Sequence, residues 1–234
     1  MTSREGILSP DTTAHKVYKL LRNDIIDGVF PPGEHLVKRT LAKKYNVSVP
    51  PVIEALIRLE SDGLVENSPQ LGTFVMNVFP ERLADELILR EAIETQVARV
   101  FAQRASERDR QELLRAADEL DQLRDNLDPD DAEMDRRFQI VHCEWHLLLA
   151  RLSGTEMLYQ HMRRVWFRRL MLVWNSADIR FPCPLRWHHQ LAEVLSLGDI
   201  EKADKAMRVH LGFGAGKKNI LPWPGTMSGA GLGF

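Results

Sequence analysis

The sequence predicts a mostly α-helical protein in two parts, an N-terminal winged helix-turn-helix with a small β-hairpin wing and a C-terminal all-α helical bundle. Two observations predict this fold. Short segments punctuated by Pro and Gly fill the chain up to about residue 77, and long amphipathic stretches with helical spacing follow from residue 80. We therefore expect one domain over 9–77, a second over 80–213, and a Gly- and Pro-rich tail over 214–234.

Composition agrees with an ordinary globular protein. The chain has 234 residues, of which 44% are hydrophobic and 27% charged. No secretory signal is visible, and no run approaches the roughly 20 apolar residues that a membrane span needs. Cys143 and Cys183 are too few for a disulfide framework. These features predict a cytoplasmic protein with no membrane partner.

The first part divides into three helices and two strands. Ser9 and Pro10 are a helix-start signal, and the first helix is expected to end at Gly28. Residues 36–47 and 48–63 have the pattern of two shorter helices. The segments LVEN and TFVM then predict a hairpin joined by SPQLG. This order is typical of a winged helix-turn-helix, whose second short helix enters the DNA major groove.

The second part predicts six helices. A long amphipathic segment begins after Pro80, and a second one follows it. Asp128–Pro129 has the pattern of a cap and a first-turn proline for the third helix, which we expect to end at Ser153–Gly154. The last two helices meet at Gly198–Asp199. Six helices over about 130 residues can bury a core of their own.

Four histidines are candidate metal ligands. His142 and His146 in HCEWH lie one turn apart, and so on the same helix face. His188 precedes Gly198 by ten residues and His210 follows it by twelve, so antiparallel helices would bring both to the same level, roughly 15–18 Å from the turn. Four imidazoles suit a divalent transition metal such as Zn or Ni. The spacing alone is weak evidence, because the chain has eight histidines.

Arg90 is a second candidate. It shares a helix stripe with Leu87, Val97 and Phe101, and a cation on a core-facing stripe needs a partner. Glu94, one turn on, is the candidate partner in a purely structural interpretation. A ligand-binding role for Arg90 is the alternative.

The run IIDGVFPPGEHLVKRTLAKKYNVSVPPVIEALIRLESDGLVENSPQLGTFV resembles the N-terminal domain of GntR-type bacterial transcription regulators, from the PPG turn to the wing glycine, Gly72. The resemblance implies a homodimer that binds double-stranded DNA at a palindromic operator. In that family the recognition helix usually opens Ser-Arg-Thr-Pro-Val-Arg-Glu-Ala-Leu. Here Val49 and Ile53 replace the two arginines.

The two replacements change what the helix can offer DNA. An arginine can hydrogen-bond guanine bidentately, a contact worth about 1–3 kcal/mol of discrimination, whereas Val49 and Ile53 can only contact apolar groups such as thymine methyls. Ser48 is placed as an N-cap, but its usual targets would be the missing N–H groups of Pro50 and Pro51. The sequence leaves open whether specificity is altered or binding is weakened.

Charge supports DNA contact only locally. Residues 1–76 are formally neutral, with nine cations against nine acids. Four cations nevertheless cluster just ahead of the recognition helix, and the resemblance implies that Arg39 contacts DNA. The alternative is that they form only the solvated face of a short helix. The candidate DNA-binding residues are Lys38, Arg39, Lys43, Lys44, Ser48, Val49, Ile53 and Gly72.

Residues 83–212 resemble the ligand-binding domain of the FadR subgroup of GntR regulators, on LILREAIE, HCEWHLLLARLSG and the closing pattern H-x9-GD-x10-H. Many members hold a divalent metal through an aspartate and three histidines, and the resemblance implies that Arg90 grips a small carboxylate effector. The metal ligands would here be four imidazoles, which favours Zn or Ni over Mg or Mn. The matching residues are His142, His146, His188 and His210.

Other chemistries are less well supported. GFGAGKKN follows a helix and lacks the spacing of a phosphate-binding loop. A metal-dependent enzyme could use Glu144 as base, but Glu144 lies about 200° round the helix from both neighbouring histidines.

The sequence therefore predicts a DNA-binding transcription regulator whose bundle binds a divalent metal and a small organic acid. The alternative is a metal-dependent enzyme, or an effector-binding protein with weakened DNA binding.

Overall fold

A computed structural model describes the protein over residues 12–77, 83–128, 131–174 and 185–214. Within these ranges the chain is predominantly helical, as the sequence predicts. The N-terminal elements are α1 (Thr13–Ile26), α2 (Lys38–Lys44), α3 (Val49–Ser61), β1 (Val65–Ser68) and β2 (Gly72–Val75). The later elements are α4 (Leu83–Arg104), α5 (Glu107–Asp125), α6 (Ala132–Leu152), α7 (Glu156–Trp174), α8 (Trp187–Ser196) and α9 (Ile200–Gly214).

The three N-terminal helices pack around a small apolar core. Leu21, Leu41 and Leu59, one from each helix, are almost fully buried. The first helix begins at Thr13, where the Thr12 hydroxyl oxygen accepts a hydrogen bond from the His15 amide at 3.2 Å. The prediction that it begins at Ser9–Pro10 is wrong, and those two residues lie outside the described part of the chain.

The predicted wing is present as an antiparallel hairpin. Val65 lies opposite Val75, and Ser68 lies opposite Gly72. Gly72 has a φ of +107°, and a Cβ there would come 2.5 Å from the His35 Nε2 atom. Because L side chains rarely adopt this φ, and a Cβ would also displace the exposed His35 ring, the backbone favours glycine here whatever the residue contacts on DNA.

The helices α4–α9 form the predicted bundle, with α4 against α9, α5 against α8 and α6 against α7. Its core includes Phe101, Leu149 and Trp166. Helix α6 begins at Ala132, where Asp131 accepts hydrogen bonds from two first-turn amides. The predicted cap at Asp128 is therefore wrong. None of the described helices is long and apolar enough to cross a membrane.

A buried polar cluster joins the two parts. The Tyr18 hydroxyl of α1 donates to the Asp62 Oδ2 atom at 2.5 Å, and the Arg163 Nη2 group of α7 donates to the same oxygen at 2.5 Å. Arg163 also donates to the Tyr18 oxygen at 3.0 Å. Beside it, the Arg164 Nε group donates to the Ser61 carbonyl at 2.6 Å. Helix α7 therefore holds the C-terminal end of α3.

Candidate metal centre and nucleic-acid interface

Four buried imidazoles converge inside the bundle. His142 and His146 come from α6, His188 from α8 and His210 from α9, and one ring nitrogen of each lies within 4.8 Å of the others. The Nε2 atom of His146 is 3.1 Å from that of His142 and 3.3 Å from that of His210. The histidines that sequence spacing places at one level thus lie together in the structure.

The spacing of these nitrogens fits a divalent transition metal. Tetrahedral Zn with bonds of 2.0–2.1 Å separates its nitrogen ligands by about 3.3 Å, close to the two short distances. In a tetrahedral set every nitrogen pair is about 3.3 Å apart, so a pair near the 4.8 Å limit would have to draw together by about 1.5 Å. The Nε2 atom of His188 is buried and has no hydrogen-bond partner among the described residues, which leaves its lone pair for a ligand.

Two carboxylates contact the outer nitrogens of this cluster. The Glu94 Oε2 atom lies 2.6 Å from the His146 Nδ1 atom. The His188 Nδ1 group donates to the Asp121 Oδ1 atom at 2.9 Å. A carboxylate on one ring nitrogen keeps the proton there and leaves the other nitrogen as a metal donor. Both contacts therefore orient Nε2 atoms toward the centre of the cluster.

Asp121 also caps a helix. It lies on α5, and its carboxylate caps the start of the neighbouring helix α8. Its carboxylate accepts hydrogen bonds from the His188 amide at 3.3 Å and the His189 amide at 2.9 Å. The residue at the N-cap position, Arg186, has a left-handed φ of +51° and makes no capping bond with its side chain. A single buried carboxylate thus fixes both the helix start and the imidazole that follows it.

Burial keeps the imidazoles neutral. Burial, and then the neighbouring rings, hold the pKa values of His142 and His210 well below the ordinary value. Burial lowers the pKa of His146 to about 4, although Glu94 opposes the shift. For Glu94, burial acts to raise the pKa, but Arg90 and His146 together outweigh it and lower the pKa to about 2. At neutral pH the cluster therefore presents the uncharged rings that bind metals.

Indole rings surround the cluster. Trp166 stacks on His146 with ring centroids 4.4 Å apart, and Trp187 stacks on His210 at 3.9 Å. Trp145 meets His146 edge-on at 5.0 Å. These rings limit rotation of the imidazoles and exclude water from them.

Arg90 lies next to this centre. It is 4% exposed, its Nε group donates to the Glu94 Oε1 atom at 2.5 Å, and its guanidinium carbon is 4.3 Å from the Trp166 ring centroid. The structural partner suggested by the sequence is therefore present. Within the described part of the chain, no hydrogen bond is found from the terminal nitrogens of Arg90. Those two groups could still bind an anion.

The candidate DNA-binding cations all lie on or at the ends of α2. Lys38, Arg39 and Lys43 are exposed, and no ion pair is found for them among the described residues. Lys44 differs, because its ammonium is 3.2 Å from the Asp24 Oδ2 atom and 5.1 Å from the Phe30 ring centroid. Three of the four cations are therefore available for phosphate.

The first turn of α3 has few amide donors, as expected. Ser48 occupies the N-cap position without a side-chain capping bond, and Pro50 and Pro51 follow in the first turn. Val49 is half-buried and packs against the core, whereas Ile53 is 39% exposed. The two apolar residues that replace arginines thus differ in their access to solvent.

Sequence reasoning missed two residues with clear positions. Asp121 follows Leu113 and Ala117 by eight and four residues on the buried stripe of α5, so its place on an apolar face was a readable signal. Ile57 lies one turn beyond Ile53 and is exposed.

The candidate base Glu144 is exposed on the opposite side of α6 from the imidazoles. The tail after Gly214 and Cys183 lie outside the described residues.

Two family models match the chain. Residues 13–75 match "Bacterial regulatory proteins, gntR family", and residues 87–213 match "FCD domain". Together they span the N-terminal winged helix-turn-helix and the bundle described above, and the second match alone covers more than half of the chain.

Known proteins with similar sequences are regulators. The chain is 33% identical to an HTH-type transcriptional regulator in an unstable DNA locus of Streptomyces ambofaciens, over 86% of this chain and 82% of that protein. It is 28% identical to the HTH-type transcriptional repressor RspR of Escherichia coli, over 84% of each. The solved structure of E. coli McbR/YncC superposes with a TM-score of 0.66 at 21% identity, covering 88% of this chain and 95% of that one, and so shares the fold.

Proposed function

The chain belongs to the gntR family of bacterial regulatory proteins and carries an FCD domain, and from this premise we propose that it is a DNA-binding transcription regulator whose bundle binds a divalent transition metal and a small organic carboxylate. Membership of this family makes it a transcription regulator and not an enzyme. The metal, the effector and the residues that bind them are the proposal.

The observation that carries the metal proposal is the convergence of four buried, neutral imidazoles, two of them contacted by carboxylates. FCD domains often bind metal. His142, His146, His188 and His210 would supply the ligands, and an all-imidazole set favours Zn or Ni. The ion would accept a carboxylate oxygen as a fifth or sixth ligand, beyond the four imidazoles.

The effector proposal rests on Arg90. Its guanidinium lies beside Glu94 and Trp166, with terminal nitrogens that make no hydrogen bond to the described residues. A planar guanidinium next to a metal can bind both oxygens of one carboxylate while another oxygen of the same acid binds the ion. A small organic acid with a further oxygen donor besides its carboxylate fits this arrangement better than a sugar or an apolar ligand.

Regulators of this family bind operators and typically dimerise. We propose that two copies of this chain place their α3 helices in successive major grooves of a palindromic site. Lys38, Arg39 and Lys43 would bind phosphates beside each α3. Effector binding would favour one arrangement of the bundle and so alter the placement of the two winged helix-turn-helix domains of the dimer.

Elemental analysis of the purified protein tests the metal site. We expect about one transition-metal ion per chain, lost when any of His142, His146, His188 or His210 is changed to Ala. His161→Ala is the matched control, because His161 is exposed on α7 and lies outside the cluster. Full metal content in all four cluster variants would contradict the proposal.

Measurement of operator affinity with and without small carboxylates tests the effector proposal. Fragments selected from random duplex DNA would be titrated with wild-type protein in the presence of a panel of small mono- and dicarboxylates. We expect one of these acids to change the affinity for DNA, and Arg90→Gln to lose that response while keeping its metal. A variant that responds normally would exclude Arg90 as an effector ligand.

A further inference from the structure

The exposed face of α3 carries four residues at a spacing suited to reading base edges. Pro50, Ile53, Glu54 and Ile57 are all exposed, with Ile53 at 39% and Ile57 at 62%. They are spaced i, i+3, i+4 and i+7, the spacing at which the recognition helix of homeodomains contacts bases in the major groove. These four residues span about 10 Å along the helix, or about three base pairs.

This face has no cation. The single basic residue of α3 is Arg58, and its guanidinium is turned toward α1. The Arg58 Nη1 atom lies 2.9 Å from the His15 Nδ1 atom, and the guanidinium carbon is 4.1 Å from the Tyr18 ring centroid. Guanine readout by a bidentate arginine, the commonest specific contact to DNA, is therefore not available from α3.

Other polar contacts from α3 are also few. Pro50 and Pro51 have no amide hydrogens to offer a phosphate or a base. Val49 packs against the core. The exposed polar groups that remain on or next to α3 are the carboxylates of Glu54 and Glu60 and the hydroxyls of Ser48 and Ser61, beside two isoleucine side chains.

The surroundings nevertheless fit a nucleic acid. The exposed cations Lys38, Arg39 and Lys43 of α2 lie directly before α3 in the helix-turn-helix and provide positive charge beside its apolar face. A protein that docked on the two isoleucines through apolar contacts would not require these cations beside them. An apolar strip flanked by cations instead matches a major groove, where thymine methyl groups lie between two rows of phosphates.

We propose that this protein reads the C5-methyl groups of thymines through Ile53 and Ile57, and that its operator half-sites carry thymines where these side chains enter the groove. The inference rests on the proposed function, because it requires operator binding, and it adds the base chemistry that is recognised. Lys38, Arg39 and Lys43 hold the duplex, and the two isoleucines provide the selection. Val49 contributes less to base recognition, because its side chain packs against the core.

Deoxyuridine gives a direct test, since it differs from thymidine only by lacking this methyl group. An operator would first be selected from random duplex DNA, and each thymine would then be replaced singly by uracil. Binding would be measured by fluorescence anisotropy at a fixed salt concentration. Burying one methyl group is worth about 0.8 kcal/mol, so we expect about a fourfold loss of affinity at one or two thymines in each half-site.

The variants assign each methyl group to a side chain. Ile53→Ala and Ile57→Ala should each bind the thymine operator several-fold more weakly, and each should become indifferent to uracil at its own position. Leu197→Ala, which removes a similarly exposed apolar side chain from the end of α8, should behave as wild type. Both isoleucines are exposed, so thermal melting should show that the variants stay folded.

The outcomes separate this inference from the proposed function. If wild-type protein binds a specific operator but tolerates uracil at every thymine, methyl readout is wrong and the regulator proposal stands. If Ile53→Ala and Ile57→Ala keep the full sensitivity to uracil, other residues read the methyl groups and the assignment is wrong. If the wild-type protein binds no DNA sequence selectively, both proposals fail.

Discussion

Arg163 of α7 and Asp62, the C-cap residue directly after α3, form a buried ion pair with an Nη2–Oδ2 distance of 2.5 Å. Three residues further along α7, Trp166 stacks on His146 of the imidazole cluster. The candidate metal centre and the recognition helix therefore contact the same helix, about one turn apart. A shift of α7 that follows a change in ring packing at Trp166 would move the end of α3 with it.

Loss of this ion pair should destabilise the protein strongly. Arg163→Ala would leave the Asp62 carboxylate, which is 1% exposed, without its cation. Burial raises the pKa of Asp62 even with Arg163 present. Removing one partner of a buried pair costs about 3–5 kcal/mol, so we expect a loss of that size in the free energy of unfolding, measured with urea.

The neighbouring arginine gives the control. Arg164→Ala removes an exposed side chain whose one hydrogen bond to the described residues is to the Ser61 carbonyl, and its cost should stay below about 1 kcal/mol. The double variant Asp62→Leu with Arg163→Met should recover much of the lost stability, because no unpaired charge is left. Equal losses for Arg163→Ala and Arg164→Ala would contradict this account.

The sequence predicts well what depends on local spacing. The convergence of His188 and His210 followed from their similar distances to Gly198, because antiparallel helices rise equally from their turn. The uncapped start of α3 followed from the missing amide hydrogens of Pro50 and Pro51.

Where several neighbouring residues can each cap a helix, the one that does so was harder to predict. SPDTT and DPDD each contain several residues that can cap a helix, and the structure uses Thr12 and Asp131 instead of Ser9 and Asp128. Contacts between segments that are distant in the chain could not be predicted from the sequence, for a different reason. Arg163 and Asp62 are 101 residues apart in the chain, and no periodicity relates a residue of the bundle to the end of a helix in the winged helix-turn-helix.

Asp121→Asn should weaken metal binding without removing a ligand. The Asp121 carboxylate holds the proton on the His188 Nδ1 atom, and an amide in its place loses the charge that strengthens this contact. Removing such a partner typically lowers metal affinity 10- to 100-fold. Competition with a chromophoric chelator measures the affinity.

Asp118→Asn is the matched control for Asp121. Asp118 lies one turn away on the same helix, and its Oδ1 atom is 2.6 Å from the Nδ1 atom of His189, which is outside the cluster. Its replacement should leave metal affinity unchanged. A similar loss in both variants would show that charge on α5, rather than contact with His188, determines the affinity.

Metal removal should lower thermal stability. A ligand present at about 100 times its Kd adds about 2.7 kcal/mol to the native state. For a chain of this size that corresponds to a fall of roughly 5–10 °C in Tm on treatment with a chelator. His146→Ala should melt below wild type and show little further response to chelator. A wild-type Tm that does not change on chelation would count against metal bound by the folded state.

The cations of α2 should differ in their contribution to DNA binding. Each phosphate contact adds about 0.9 to the slope of log K against log salt, so Lys43→Ala should reduce that slope by about this amount. Lys44→Ala should reduce it less, because the Lys44 ammonium is 3.2 Å from the Asp24 carboxylate. Titrations at several salt concentrations measure both slopes. Equal reductions would mean that Lys44 leaves Asp24 when DNA binds.

Ile53→Arg should change which base the protein selects. Ile53 is 39% exposed, so a longer side chain can extend into the groove without creating a cavity in the core. An arginine there can bond the guanine O6 and N7 atoms, a contact worth about 1–3 kcal/mol of discrimination, while the contact to a thymine methyl is lost. Selection from random duplex DNA should therefore replace thymine by guanine at one position of each half-site. Leu197→Arg adds the same charge away from α3 and should leave the selected sequence unchanged, whereas an unaltered sequence for Ile53→Arg would mean that residue 53 does not face the bases.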